Sequence, residues 1–393
     1  MKPFFRILTL ILLCTACHNT VSEGQIVQNR ITPGAERLEL YGPTIHNRKV
    51  GLIVNQTSTV RQTHLVDELR NHNINIIRIF SPEHGFRGKA DAGEQLSNAV
   101  DVASGLPIVS LYGKKKKPSR TDLEDIEVLV FDIQDVGVRF YTYISTLHYV
   151  MEAAAEANIP IIVLDRPNPL ISYVDGPVLD PEYKSFVGMH PVPVVYGMTI
   201  GEYAQMINGE GWLDGHKKCQ LEVIPVDHYS RMANYILPIK PSPNLPNNVA
   251  IGHYPSLCFF EGTSVSVGRG TDFPFQVIGH PSFTDPTFSF KPLSGPGSKY
   301  PKHEGLLCKG ESLQRVKPNM ARLDLSYLQS YYKNLSEQKI KFFNEDNFFN
   351  LLAGTDQLKK DIISGKSEDE IRASWMPGIL DFQLMRKKYL IYK

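Results

Sequence analysis

Val128-Leu129-Val130-Phe131-Asp132-Ile133-Gln134-Asp135 sets four large apolar residues directly before a turn that carries two carboxylates. The run is too short for a buried helix and rich in β-branched and aromatic residues. It reads as a strand covered on both faces, with a polar end that serves something other than the core. The same grammar recurs on either side. Gly51-Leu52-Ile53-Val54 leads into Asn55-Gln56, residues 74–80 into Ser81-Pro82-Glu83-His84-Gly85, and residues 159–164 into Asp165-Arg166-Pro167-Asn168. Residues 106–111 and 221–226 are two more apolar runs of strand length. Helical periodicity fills the gaps at residues 65–70 and 145–157, and again after Thr199-Ile200-Gly201-Glu202, where Thr199 and Glu202 have the spacing of a capping box.

Strands alternating with helices predict an α/β domain with a parallel sheet between helical layers. Its expected extent is residues 37–235. Ligands of open α/β sheets bind outside the carboxyl ends of the strands, so Asn55, Glu83, His84, Asp132, Asp135, Asp165, Arg166 and Asn168 are expected at one cleft despite their separation in sequence. Solvated turns would favour Gly, Asn and Ser over Glu-His, Asp and Asp-Arg. The texture changes at Leu237-Pro238-Ile239-Lys240-Pro241-Ser242-Pro243-Asn244-Leu245-Pro246, too rigid and too poor in donors for a helix or a central strand. Residues 236–393 accordingly read as a smaller α+β auxiliary domain, with helical stretches near residues 325–334 and 346–353. The cleft between the two domains is the expected active site.

The N-terminus pairs Lys2 and Arg6 with an apolar run at residues 7–13, ending in Cys14-Thr15-Ala16-Cys17. This is the pattern of an export signal, and residues 1–17 read as a lipoprotein signal with Cys17 as the lipidated residue, followed by a linker at 18–36. The expected product is a periplasmic or outer-membrane lipoprotein, held to the membrane by its lipid anchor only; release as a free periplasmic protein is the alternative. A formal net charge of +1 gives no field for nucleic acid, and Lys114-Lys115-Lys116-Lys117 reads as a solvated loop. Cys219, Cys258 and Cys308 lack any CxxC spacing and read as buried thiols. The 18 Tyr and 19 Phe suit a cleft lined for sugars.

Hydrolysis of a glycosidic bond needs an acid to protonate the leaving oxygen and usually a second carboxylate. Glu83 is the leading acid, because its loop also holds Phe80 and Phe86, against which partial burial raises a carboxyl pKa; an ion pair with Arg87 is its structural alternative. Asp132 and Asp135, three apart, and Glu94 and Glu261 are the other carboxylates. Tyr141, within Phe140-Tyr141-Thr142-Tyr143, either stacks on a sugar or packs as core. Gly268-Arg269-Gly270 lacks the GxGxxG spacing of a dinucleotide fingerprint. A second reading is a metal-dependent hydrolase with His84, Asp132, Asp135 and His148 or His190 around a cation, although no HExxH or HxH spacing supports it. A third is a lipoprotein that binds wall fragments without turnover.

The strings SPEHGFRG (81–88), FDIQDVGVRFYTY (131–143), LDRPNP (164–169), GMTIGE (197–202), PSPNLP (241–246) and FEGTSVSVGRGT (260–271) together resemble the hallmark segments of the exo-β-N-acetylmuramidase family, formerly a family of unknown function. The resemblance runs from about Arg37 to the last residues. It implies a Rossmann-like domain plus an auxiliary domain with the active site between them, no nucleotide or other cofactor, and a leading catalytic role for Glu83. The implied activity is exo-acting release of N-acetylmuramic acid from the non-reducing ends of peptidoglycan fragments. That sugar carries a lactyl carboxylate suited to a planar guanidinium, which singles out Arg139, Arg166 and Arg269. Asn244 and Thr271 fall within the same strings and join the expected substrate contacts.

Overall fold

The computed structural model describes residues 30–82, 86 and 99–393. In chain order the strands are β1 (Val50–Val54), a hairpin of β2 (Thr59–Val60) and β3 (Thr63–His64), β4 (Ile76–Ser81), β5 (Ala99–Val100), β6 (Pro107–Ser110), β7 (Val128–Asp132), β8 (Ile161–Leu164) and β9 (Leu221–Ile224). Six of them, one for each apolar run, form a parallel sheet in the order β6-β4-β1-β7-β8-β9, and the short antiparallel β5 lies beside β6. Counted along the chain, the parallel strands run third, second, first, fourth, fifth, sixth. This is the doubly wound arrangement, in which the crevice opens where the order reverses, between β1 and β7.

Helices α1 (Leu38–Ile45) and α2 (Leu65–Asn71) cover one face of the sheet, while α3 (Tyr143–Ala157) and α4 (Ile200–Gly209) cover the other. The pleat divides β7 between them: Val128 and Val130 join the cluster with Tyr41, Leu65 and Leu69, and Leu129 and Phe131 join that of Ile144, Leu147 and Met206. Thr199 and Glu202 do form the capping box of α4. Cys219, Cys258 and Cys308 are free and buried.

The rest of the chain supplies α5 (Asn248–Leu257), an antiparallel sheet of β10 (Val277–His280), β11 (Phe288–Phe290) and β12 (Cys308–Ser312), then α6 (Ser326–Glu337), α7 (Phe348–Ala353), α8 (Gln357–Ile363) and α9 (Glu368–Arg386). Residues Ile31–Lys393 pack as one compact unit. Sequence periodicity locates α6 and α7 but passes over α9, the longest helix among the described residues. Its buried stripe of Ile371, Trp375, Ile379 and Phe382 is accompanied by exposed Met376, Leu380 and Leu384, which blur the amphipathic signal, and Pro377 lies inside it.

Candidate active site

At the C-terminal end of the sheet stand those of the expected polar residues that are described, and their side chains are spent on one another or on neighbouring groups of the protein. Arg166 lies across Asp132, Nε 2.5 Å from one carboxylate oxygen and Nη2 2.8 Å from the other, and the same Nη2 donates to the Thr59 carbonyl at 3.0 Å. Both side chains are buried. Asp165 accepts from the amides of Arg166 (3.0 Å) and Gly201 (2.8 Å) and from the hydroxyls of Thr199 (2.7 Å) and Tyr392 (2.5 Å). Burial raises its carboxyl to about 7 against the pull of those donors. Asn168 donates to the Met198 carbonyl at 2.8 Å and accepts from the Leu170 amide at 2.7 Å. It also packs on Gly137, where φ is +81° and a Cβ would stand 2.3 Å from the Asn168 Oδ1.

Asn55 closes the turn after β1: its Oδ1 accepts from the Thr57 amide at 2.9 Å and the Thr57 hydroxyl at 2.6 Å, while its buried Nδ2 has no partner. That turn, Asn55-Gln56-Thr57-Ser58, contains no glycine and uses the Thr57 amide internally, unlike a phosphate-binding turn. Asp135 is also buried. Its Oδ2 accepts from the Gly137 amide at 2.8 Å and from the Tyr196 hydroxyl, and its Oδ1 is unpartnered. Burial raises this carboxyl to about 6.

The open part of the site is a cavity of about 490 Å³ between the sheet end and the C-terminal region. It is walled by aromatic rings, among them Tyr141, Tyr254, Phe275 and Tyr300, and of the expected residues it holds Tyr141, Asn244, Glu261 and Arg269. Tyr141 donates to the Pro241 carbonyl at 2.8 Å, to which the Gln56 Nε2 also donates at 3.0 Å, so the proline-rich stretch is tied down on the sheet. Asn244 donates to the Gly297 carbonyl at 2.7 Å, fixing the loop that brings Lys299 and Tyr300 to the rim. Arg269 and Glu261 face each other, Nε to Oε1 and Nη2 to Oε2 both at 3.0 Å, with the guanidinium 5.1 Å over the Phe275 ring. Burial opposes the charge on Arg269, but the adjacent carboxylate outweighs it and holds the pKa above its ordinary value. Among the described residues Nη1 of Arg269 has no hydrogen-bond partner.

Lys302 escaped the sequence reading. Its ammonium donates to the carbonyls of Phe260 (2.7 Å), Glu261 (3.0 Å) and Thr263 (2.5 Å), so the loop that carries Glu261 is wrapped around a cation. Burial lowers this amine to about 8. A lone lysine in a polar stretch gives no sequence signal for such a role.

Two expectations are corrected, and Thr271 is placed within its loop. Arg139 is no substrate contact: it is wholly buried, and its guanidinium donates to the carbonyls of Pro177 (2.8 Å), Val192 (2.6 Å), Leu352 (3.0 Å) and Ala353 (2.6 Å). The last two close the C-terminus of α7, where Gly354 has φ +71° and a Cβ would come within 2.6 Å of the Arg139 Nη2. Thr271 turns its hydroxyl onto the Gly268 carbonyl at 2.6 Å and accepts from the Phe273 amide, shaping the loop that presents Arg269. His148 and His190 do not join Asp132 and Asp135 around a cation; they bond to each other at 2.9 Å, and His190 meets the Tyr203 hydroxyl at 3.0 Å. Glu83, His84, Glu94 and Cys17 lie outside the described residues. Ser81, the last residue of β4, stands at the same end of the sheet as Asp132.

Fold and cavity together define a Rossmann-like α/β protein whose site is an aromatic-walled cavity containing an ion-paired Glu and Arg. The family description "Exo-beta-N-acetylmuramidase NamZ, N-terminal" matches residues 50–249, and its C-terminal counterpart matches residues 253–392. The chain belongs to this family. A curated relative, the "Peptidoglycan beta-N-acetylmuramidase NamZ" of Bacillus subtilis (strain 168), is 38% identical over 375 residues, covering 90% of this chain and 89% of the relative. Two crystal structures of DUF1343 family proteins from Bacteroides fragilis NCTC 9343 are similar at TM-scores of 0.85 and 0.77, with 45% and 30% identity; each match covers 93% of this chain and 99% of the other.

Proposed function

We propose that this chain is an exo-acting glycoside hydrolase that releases N-acetylmuramic acid from the non-reducing ends of peptidoglycan fragments in cell-wall turnover. The observation that carries the reading is the pair of family matches, which run end to end across both the sheet and the C-terminal region. The geometry is in keeping with it. Among the described residues Glu261 is the one carboxylate lining the cavity, and Arg269 keeps a guanidinium edge for a substrate carboxylate, whereas Arg139 and Arg166 are committed elsewhere. Glu83 follows β4 in sequence and takes the role of general acid, with Glu261 as the second carboxylate of the pair such hydrolysis uses.

The test is incubation with a muramic-acid-terminated disaccharide and with its glucosamine-terminated counterpart, with released sugar read by mass spectrometry. Release of N-acetylmuramic acid from the first alone is expected; equal cleavage of both would overturn the specificity. The leader pattern ending in Cys17 supports export and anchoring through a lipid. Cys17→Ala should then shift the protein from the membrane to the soluble fraction, and unchanged fractionation would refute the anchor.

A further inference from the structure

Next to the cavity of Glu261 and Arg269 lies a second, of about 580 Å³, lined by residues of α3 and of the loop after α4. The two share an aromatic wall. Phe186 borders the first, Tyr149 borders the second, and their rings lie 6.3 Å apart and only 18° from parallel. Lys116 stands 4.3 Å over Phe186, and exposed Lys184 borders the second cavity.

Trp212 forms the far side of this second cavity, and its indole stacks on His190 at 4.7 Å with an 18° tilt. His190 is held in turn by Tyr203 and by His148, and His148 faces Glu152 at 3.4 Å. Glu152 accepts from the Lys117 ammonium at 2.6 Å and from the Asp214 amide at 3.1 Å. A buried polar network therefore fixes the orientation of a partly exposed tryptophan. Rigid aromatic rings with one accessible face bind at low entropic cost, and they suit the apolar C–H face of a sugar.

We propose that the second cavity is a distal saccharide subsite, in which the units of a longer glycan beyond the reacting end pass over Phe186 and Tyr149 and stack on Trp212. Lys116 and Lys184 meet the carboxylates that further muramyl units carry. The inference rests on the first cavity being the site of hydrolysis. Continuity through the Phe186 and Tyr149 wall, together with Lys116 and Lys184 beside it, argues for the remainder of the same substrate as the occupant.

The test compares a muramyl-capped disaccharide with the corresponding tetrasaccharide. Wild-type protein should show a KM lower for the tetrasaccharide by about tenfold, the change given by one well-placed aromatic anchor. Trp212→Ala should abolish that advantage while leaving kcat and KM for the disaccharide unchanged, which also reports an intact fold. Lys184→Glu, at an exposed position, should weaken only the substrate with an internal muramyl carboxylate. An equal KM for both lengths in the wild type, or equal effects of Trp212→Ala on both, would overturn the subsite. Should the wild type cleave neither substrate, the hydrolase reading fails separately, and calorimetric binding of an N-acetylglucosamine tetramer decides the subsite: weaker binding by Trp212→Ala upholds it, equal binding overturns it.

Discussion

Arg166 grips Asp132 through two parallel hydrogen bonds, joining the C-terminal ends of the adjacent strands β7 and β8. Both groups are out of water, so removing either leaves an uncompensated charge. Arg166→Met is expected to lower the free energy of unfolding by about 3–5 kcal/mol, read as an earlier urea midpoint. A loss under about 1 kcal/mol would mean that the pair contributes little to the folded state.

Asp135 gives the molecule a pH dependence of definite sign. Its folded value of about 6 lies above the ordinary unfolded value of about 3.9, so across that window the folded chain keeps a proton that the unfolded chain has released. Its contribution to stability is complete below about pH 4 and is lost as pH rises through about 6, up to an order of 3 kcal/mol. Asp135→Asn removes the titration, so its stability profile should be flatter than that of the wild type over this range. Denaturation midpoints that run parallel for the two proteins between about pH 4 and pH 7 would show that Asp135 does not titrate there.

Arg269 is the guanidinium with an edge left for substrate. Arg269→Lys keeps the charge but loses the planar fork, and should weaken catalysis on muramic-acid-terminated substrate by about ten- to a hundredfold, equivalent to about 1.5–3 kcal/mol. The glucosamine-terminated counterpart, poor from the outset, should change little. Kinetics on the muramic substrate that stay within about twofold would place carboxylate recognition on another cation, with Lys299 at the cavity rim the next to test.

Glu83→Gln keeps the shape of the side chain and removes its proton. Acid catalysis by a placed carboxyl contributes about 10²–10⁴-fold, so kcat should fall by that order while KM changes little. An aryl glycoside with a good leaving group should be much less affected. Equal impairment of aryl and natural substrates would assign Glu83 a role as nucleophile, base or scaffold instead.

The strands were legible in the sequence because a parallel sheet buries both faces, and continuous apolar runs such as residues 128–131 have few other uses. The polar strand ends were legible as a group but not one by one. Asp132, Asp165 and Arg166 look alike in sequence whether they meet a substrate or the protein itself, and only the distances show that Arg166 pairs with Asp132 and that Thr199, Gly201 and Tyr392 hold Asp165. Arg139 was hidden for a related reason, since its partners are main-chain carbonyls up to 214 positions away, which no local pattern encodes. Glu261 and Arg269, eight residues apart, kept their place in the cavity. The lysine behind them was invisible because it recognises the path of the backbone rather than any side chain.

Tyr392 reaches back 227 positions to donate to Asp165, and its hydroxyl also accepts from the Val226 amide, while the amides of Ile391 and Tyr392 hold Glu202. These carboxylates sit at the end of β8 and in the first turn of α4, between 189 and 227 positions before the residues that donate to them. During synthesis both acids emerge long before residues 391 and 392, and the Tyr392 amide that Glu202 accepts from lies 190 positions further along the chain. Contacts of such long sequence separation form late and slowly. The end of β8 and the first turn of α4 thereby wait on residues made much later, and a chain stopped before Ile391 leaves Asp165 and Glu202 short of these donors.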